Sequence, residues 1–253
     1  MIRIVTQHPS LAGRIDDLLG AFESTTKPAR AVNIIQVTGE PGEAHRLHRG
    51  CHRVVFDEDE GLLPSLIGLI NQRAIYGTCS FAVHSAVLAH GGRVVAFPAD
   101  SGDGKTTLAA AGILEGMAYA TDEALVLDDS GQVVPYPKPL ALSEWSCETL
   151  GLEPKGSETL FTAGDLGGRV VNESRPLTDI VIASYGAEHQ ALDRRPSSQA
   201  VAELIGKSFN HYKDPQRAFR LSTEIARRVR VWKLDYDDPT QAIKLLRESI
   251  LDG

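Results

Sequence analysis

The chain has 253 residues, enough for one large domain or for a small domain followed by a larger one. Hydrophobic residues make up 42% and charged residues 23%, so the composition excludes a wholly disordered chain and a coiled coil. The formal net charge of −7 argues against a nucleic-acid or membrane partner, because both require a concentrated basic face.

The N-terminus and the cysteines indicate the cellular setting. The first residues, MIRIVTQHPS, carry no basic stretch followed by an apolar run, and no segment reaches the ~20 apolar residues of a membrane span. We therefore predict a cytoplasmic protein. Cys51, Cys79 and Cys147 are odd in number and lack CxxC spacing, which predicts reduced thiols instead of a disulfide framework or a zinc site. The arginines within 227–230 are expected to form a solvated face.

Residues 1–78 are predicted to form a small α+β domain that carries no recognisable chemistry. Segments 31–39 and 51–56 are rich in Val and Ile, which predicts two strands of one sheet. Leu and Ile recur at helical spacing from Leu62 to about Ala74, which predicts an amphipathic helix. A boundary near Gly77 then leaves residues 79–253 as the second domain.

The second domain begins with a predicted hairpin. Residues 80–90 form an apolar run, two glycines make a turn, and residues 93–97 form a short buried strand. A helix is predicted from Thr106 to Glu115, and residues 119–136 predict a strand, a turn and a returning strand.

The C-terminal half alternates helical and extended patterns. Residues 151–170 lack clear periodicity and are expected to form a long surface segment or lid. After it we predict a buried strand, two helices, a second strand and a final helix that Asp238-Pro239 caps; the first four cover 176–185, 201–209, 215–228 and 231–236. The alternation predicts an α/β fold with a mixed sheet.

The segment 97–112, FPADSGDGKTTLAAAG, carries the strongest functional signal. A short apolar strand leads to a Gly-rich turn and then to a helix, which is the context of a phosphate-binding P-loop. Backbone N–H groups converge on phosphate there, and glycine keeps Cβ atoms out of the way. Ala99 replaces the first glycine of the pattern and is tolerated if its φ stays negative. The residues predicted to bind the phosphates of ATP are Ser101, Gly102, Asp103, Gly104, Lys105, Thr106 and Thr107.

The alternative for this segment is a Gly-rich turn with an incidental surface lysine. On the P-loop interpretation, Lys105 reaches the terminal phosphates and Thr106 ligates Mg²⁺. Asp122 and Glu123 enter the next strand, where a carboxylate can reach the same Mg²⁺, although acidic pairs at strand starts are also commonly exposed turns. His84, in the preceding strand, could orient an acceptor hydroxyl or be a hydrogen-bonded core residue.

Residues 83–127 resemble the catalytic domain of the bacterial HPr kinase/phosphorylase family. That family has a histidine in the strand before the P-loop, a P-loop ending in Gly-Lys-Ser/Thr, and an acidic pair after the P-loop helix. Here these landmarks are His84, Gly104-Lys105-Thr106 and Asp122-Glu123. The later pieces YPKPLAL and RVWKLDYDDPTQAIKLL look like divergent HPr-kinase-related proteins.

The resemblance implies an HPr kinase/PEP carboxykinase-like P-loop core that uses ATP and Mg²⁺ and can self-associate as a homo-oligomer. It implies that Asp122 is the general base, assisted by His84 and Lys105, with Thr106, Asp122 and Glu123 near Mg²⁺. The family's Arg-Gly-x-Gly signature is absent and the pair is Asp-Glu instead of Asp-Asp. We therefore predict neither HPr as the acceptor nor the reverse phosphorylase activity.

Three functions follow, in order of support. The first is an ATP-dependent kinase that phosphorylates a hydroxyl of a peptide, a protein or a small molecule. The second is a non-catalytic nucleotide-binding module that presents the N-terminal domain to a partner. The third is a hydrolysing switch, which an NKxD-type segment or a water-positioning glutamine near the loop would have favoured. A polar cluster at Asn210, His211, Lys213 and Arg217 either covers the phosphates or belongs to a capped surface helix.

Overall fold

The computed structural model describes residues 2–6, 9–22, 33–38, 45–49, 52–56 and 61–252. Within these ranges, a four-stranded sheet forms from the N-terminal segments in the order β1 (Ile2–Thr6), β2 (Asn33–Thr38), β3 (His45–Arg49) and β4 (His52–Phe56). β1 and β2 are parallel, and the other pairs are antiparallel. Residues 31, 32, 39 and 51 of the predicted strands lie outside the described residues.

Two helices lie in the described residues of the N-terminal part. α1 (Pro9–Leu19), which was not predicted, continues into a 3₁₀ turn (Gly20–Phe22), and α2 (Leu62–Gly77) extends beyond the predicted end at Ala74. Their apolar residues and those of the sheet form one core of Leu11, Ile15, Ile35, Val37, Leu47, Leu62, Leu63 and Leu66. The two predicted strands share a sheet but do not pair, because β3 lies between them. β3 was not predicted, because Leu47 is the one apolar residue in its sequence, HRLHR.

In the described residues, a mixed sheet of nine strands forms the larger part. Its order is β12 (Arg175–Pro176), β9 (Gln132–Val134), β8 (Ala124–Leu127), β5 (Phe81–His90), β6 (Arg93–Pro98), β13 (Asp179–Tyr185), β15 (Arg230–Tyr236) and β14 (Ala191–Arg195), with β7 (Ala118–Thr121) also paired to β5. β13 runs parallel to β6 and β15, whereas the hairpin β5–β6 is antiparallel. The predicted α/β class and mixed sheet are confirmed; the division into two domains stays a prediction.

Helices cover both faces of this sheet. α3 (Lys105–Leu114) and α7 (Pro239–Leu246) pack on one face, and α5 (Ser198–Gly206) and α6 (Pro215–Ala226) pack on the other. Because side chains alternate along a strand, Val95 enters the first core while Val94 enters the second. The two apolar layers hold the strand that leads into the Gly-rich loop between them.

The strand predicted from residue 119 is broken at the acidic pair. β7 pairs with the end of β5, and β8 pairs with its beginning. The register shifts between Val87 and Leu88, so Asp122 and Glu123 occupy the break between the two short strands. At this break Asp122 is buried and Glu123 is partly buried, so the pair does not form a fully exposed turn.

Other predictions in the second half need correction. The segment 151–170 is not a plain surface lid, because β11 (Glu158–Phe161) pairs with β10 (Leu140–Ser143) and Ala163 and Leu166 are buried. α4 (Glu144–Thr149) and β14 were not predicted. α5 lies three residues earlier than expected, whereas α7 begins as predicted, with Asp238 accepting bonds from the Thr240 and Gln241 N–H groups.

A buried carboxylate ties three strands of the sheet together. Asp179 on β13 accepts hydrogen bonds from Arg93 on β6 and from Arg230 and Trp232 on β15. The expected solvated face within 227–230 is therefore wrong at Arg230, whose guanidinium is committed to this contact. Burial opposes ionisation, but these hydrogen bonds outweigh it and lower the pKa of Asp179.

Cys79 and Cys147 are free thiols, as predicted, and Cys51 lies outside the described residues. None of the helices in the described part of the chain combines the length and apolar character that a membrane span requires.

Candidate functional site

The loop between β6 and α3 contains two glycines in a conformation that other residues rarely adopt. Gly102 has φ 91° and Gly104 has φ 79°, both in the left-handed region that favours glycine. Gly104 is the N-cap of α3, and its position leaves the first turn without a side-chain cap. Among the described residues, a positive φ occurs at glycines alone, so Ala99 meets the condition under which alanine is tolerated there.

Two aspartates lie in the loop, and both make polar contacts with other groups of the protein. Asp100 forms an ion pair with Lys207, and this hydrogen bond is the main reason that its pKa is lowered. Asp103 accepts a hydrogen bond from the Asp100 N–H at 2.8 Å. Their negative charges would repel a phosphate, and the contacts with Lys207 and with the backbone reduce that repulsion.

Lys105 is not an incidental surface residue. It is 7% exposed, and its Nζ donates a hydrogen bond to the Asp100 carbonyl oxygen at 2.5 Å. Burial lowers the pKa of Lys105, while the nearby carboxylates, led by Asp103 and Glu123, oppose that shift. A buried ammonium whose hydrogen bond goes to a backbone carbonyl is well suited to receive a phosphate as its counter-ion. Thr106, next to it, is partly exposed.

The predicted carboxylate Asp122 lies in a closed polar network. It is 2% exposed, so the exposed-turn alternative is wrong for this residue. Its Oδ1 accepts a hydrogen bond from the Tyr119 hydroxyl at 2.6 Å and lies 2.9 Å from Lys138 Nζ, which donates a hydrogen bond to Oδ2 at 3.2 Å. Burial and the neighbouring Asp122 raise the pKa of Tyr119 well above its usual value. The phenol therefore stays protonated and acts as the donor of the hydrogen bond to Asp122.

Glu123 and His84 form the open side of the same cluster. The Glu123 side chain is 28% exposed, and its Oε1 lies 3.8 Å from His84 Nε2. Burial raises the pKa of Glu123, and a hydrogen bond from Asn71 on α2 is among the contacts that oppose the shift. Burial, followed by the charge of Lys105, lowers the pKa of His84 to about 4, so its ring is neutral at neutral pH.

A cavity of about 580 Å³ borders the loop between β6 and α3. The loop, α3, α4 and the ends of β13 and β15 contribute to its wall, and Pro239 at the start of α7 completes it. The lining residues are Gly102, Asp103, Gly104, Thr107, Trp145, Ala183, Ser184, Tyr185, Tyr236 and Pro239. The Thr107 hydroxyl lies 2.8 Å from the Ser146 hydroxyl, so this side chain joins α3 to α4 beneath the cavity.

The polar cluster near α6 is used for structure. The Asn210 side chain bonds to backbone groups of Ser80 and Ala82, and Arg217 donates to the Cys79 carbonyl oxygen. Asp214 caps α6 by accepting from the Arg217 N–H, which matches the capped-helix alternative. These contacts hold the C-terminal helices against the start of β5.

The structure thus brings together most of the residues that the sequence singled out. Lys105 and the two carboxylates of Asp122 and Glu123 interact electrostatically. Besides burial, the charge of Lys105 lowers the pKa of His84, and the charge of Asp122 acts to raise it. Within the described ranges, no group of three His, Cys, Asp or Glu side chains is arranged to hold a metal ion. A Mg²⁺ site made from Thr106, a carboxylate and two phosphates does not need such a group.

Comparisons with known proteins do not assign the chain to a family. No protein-family model matches the chain, and no curated protein matches it significantly. The resemblance to the HPr kinase/phosphorylase family therefore rests on the order of the motifs in the sequence.

Proposed function

We propose that the chain binds ATP through the loop 99–107 and transfers the terminal phosphoryl group to a hydroxyl. The observation that carries this proposal is the buried Lys105 behind two left-handed glycines at the start of α3. The acidic pair, close enough to act on that lysine electrostatically, supplies the carboxylates that phosphoryl transfer uses.

Different residues of the site would bind the phosphates, hold Mg²⁺ and accept the proton. The loop amides and Lys105 bind the β- and γ-phosphates and neutralise their charge. A Mg²⁺ ion bound by Thr106 and the acidic pair would supply further charge neutralisation. The bond from the acceptor oxygen to the γ-phosphorus forms as the bond to the β–γ bridging oxygen breaks, and the hydroxyl proton goes to a carboxylate.

The two carboxylates differ in their readiness to accept that proton. Asp122, which the resemblance favours as the base, is closed to solvent and must first be released by Lys138 or Tyr119. Glu123 is open, and its raised pKa increases its affinity for a proton. Retaining Asp122 as the base therefore requires its contact with Lys138 or with Tyr119 to open when the nucleotide binds.

The test is phosphoryl transfer from terminally labelled ATP with Mg²⁺, using serine peptides and small hydroxylated acceptors. We expect labelled acceptor with the parent and with a control, Lys155→Ala, which removes an exposed lysine. We expect none with Lys105→Ala. Loss of transfer in Asp122→Asn with retained ATP binding assigns the base to Asp122, and the same result in Glu123→Gln alone assigns it to Glu123. Equal transfer by all variants contradicts the proposal.

One observation favours a second candidate function. The hydrogen bond from Asn71 on α2 opposes the rise that burial causes in the pKa of Glu123, so nucleotide binding that alters Glu123 would also act on a residue of the N-terminal part. This contact suits a module that reports nucleotide binding to a partner. Tight ATP binding without transfer to any acceptor would support it, and release of free phosphate without an acceptor would instead indicate a hydrolysing switch.

A further inference from the structure

Two aromatic side chains beside the loop are exposed without an obvious structural reason. Trp145 on α4 is 48% exposed and Tyr185 at the end of β13 is 54% exposed, and their ring centroids are 5.6 Å apart. Tyr236 at the end of β15 extends the row, with its ring 5.6 Å from that of Tyr185. Large aromatic rings left in contact with water beside a cavity are typical of a ligand site.

The cavity behind these rings is continuous with the Gly-rich loop. Gly102 and Gly104 form part of its wall, and a Cβ atom on Gly104 would lie 3.4 Å from the Tyr236 hydroxyl. A ligand whose phosphates rest on the loop can therefore place its other end against the aromatic rings. The volume of about 580 Å³ lies within the range of small-molecule sites.

The sheet order separates this cavity from the carboxylates. β6, which leads into the loop, has β5 and β8 on one side and β13 and β15 on the other. Glu123 and His84 belong to the first side, and the aromatic row belongs to the second. A nucleotide lying across the loop would thus direct its terminal phosphate towards Glu123 and its base towards Trp145.

We infer that this cavity binds the base and ribose of the nucleotide, with Trp145 stacking on the base and Tyr185, whose ring is inclined at 74° to that of Trp145, contacting the edge of the base. The inference rests on the proposed function for the phosphate end of the ligand. Stacking reads the π-face, which every base has. We therefore expect ATP and GTP to bind with similar affinity.

The test compares the affinities of ATP and inorganic tripolyphosphate, both with Mg²⁺, by titration calorimetry. Tripolyphosphate carries the phosphates without the nucleoside. Trp145→Ala should weaken ATP binding about tenfold and leave tripolyphosphate binding unchanged, since a base–aromatic stack is worth ~1–3 kcal/mol. Phe219→Ala removes an aromatic ring that is 62% exposed on α6, and this control should change neither affinity.

The outcomes separate this inference from the proposed function. If Lys105→Ala weakens both ligands but Trp145→Ala weakens neither, or weakens both equally, the loop binds phosphate and the aromatic site is wrong. If Lys105→Ala leaves both affinities unchanged, the proposed function itself fails. If Trp145→Ala changes only the mass of the protein in solution, the rings cover a second copy of the chain, which also overturns the inference.

Discussion

Removing the cation beside Asp122 should destabilise the protein strongly. Lys138 and Asp122 are both buried, with 2.9 Å between Nζ and Oδ1, so Lys138→Met leaves a buried carboxylate without its counter-ion. Breaking such a pair costs about 3–5 kcal/mol, and the remaining bond from Tyr119 places the loss near ~3 kcal/mol. For a chain of this length that corresponds to a fall in Tm of roughly 6–12 °C.

Urea unfolding and calorimetry of the parent, Lys138→Met, Asp122→Asn and the double variant measure this loss. The double variant should recover much of it, because it carries no buried charge. The loss in Lys138→Met should also shrink at acid pH, since protonation removes the charge of the unpaired carboxylate. A loss below ~1 kcal/mol, or no recovery in the double variant, would refute the reasoning.

Three further changes test other parts of the structure. Gly104→Ala imposes a Cβ at φ 79° and should cost ~1–3 kcal/mol and weaken ATP binding, whereas Gly206→Ala, with open space around it, should do neither. His84→Gln should remove the part of the stability that is lost as pH falls from 6.5 towards 4; unfolding at several pH values measures it, and an unchanged pH profile would argue against a buried neutral His84. Asp179→Ala leaves two arginines unpaired and should cost ~3–5 kcal/mol in urea unfolding, a prediction that a change below ~1 kcal/mol would contradict.

The unit from Arg93 to Leu114 could be predicted because its signals are local. A run of apolar residues, two glycines and an Ala-rich stretch each determine the structure of their own few residues, and β6 and α3 were found nearly to the residue. β14 and β10–β11 were missed for the opposite reason. β14 pairs with β15, far along the chain, and its sequence, ALDRR, has little apolar character of its own.

The site was predicted in part for the same reason. The loop and the acidic pair follow one another closely, but some of the groups that act on Asp122 and Glu123 do not. Lys138 lies 16 residues further on, and Asn71 belongs to a helix in the part of the chain assigned to another domain. The aromatic row is assembled from α4, β13 and β15, so only the sheet order reveals it.

Amide hydrogen exchange in the loop tests the central claim most directly. If the N–H groups of residues 101–107 bind phosphate, saturating Mg²⁺-ATP must slow their exchange with solvent, because a bound amide exchanges only when the ligand leaves. We predict slower exchange in peptides that cover this loop in the parent and in Lys155→Ala, and no change in Lys105→Ala. Unchanged exchange in the parent, or equal slowing in Lys105→Ala, would contradict phosphate binding at this loop.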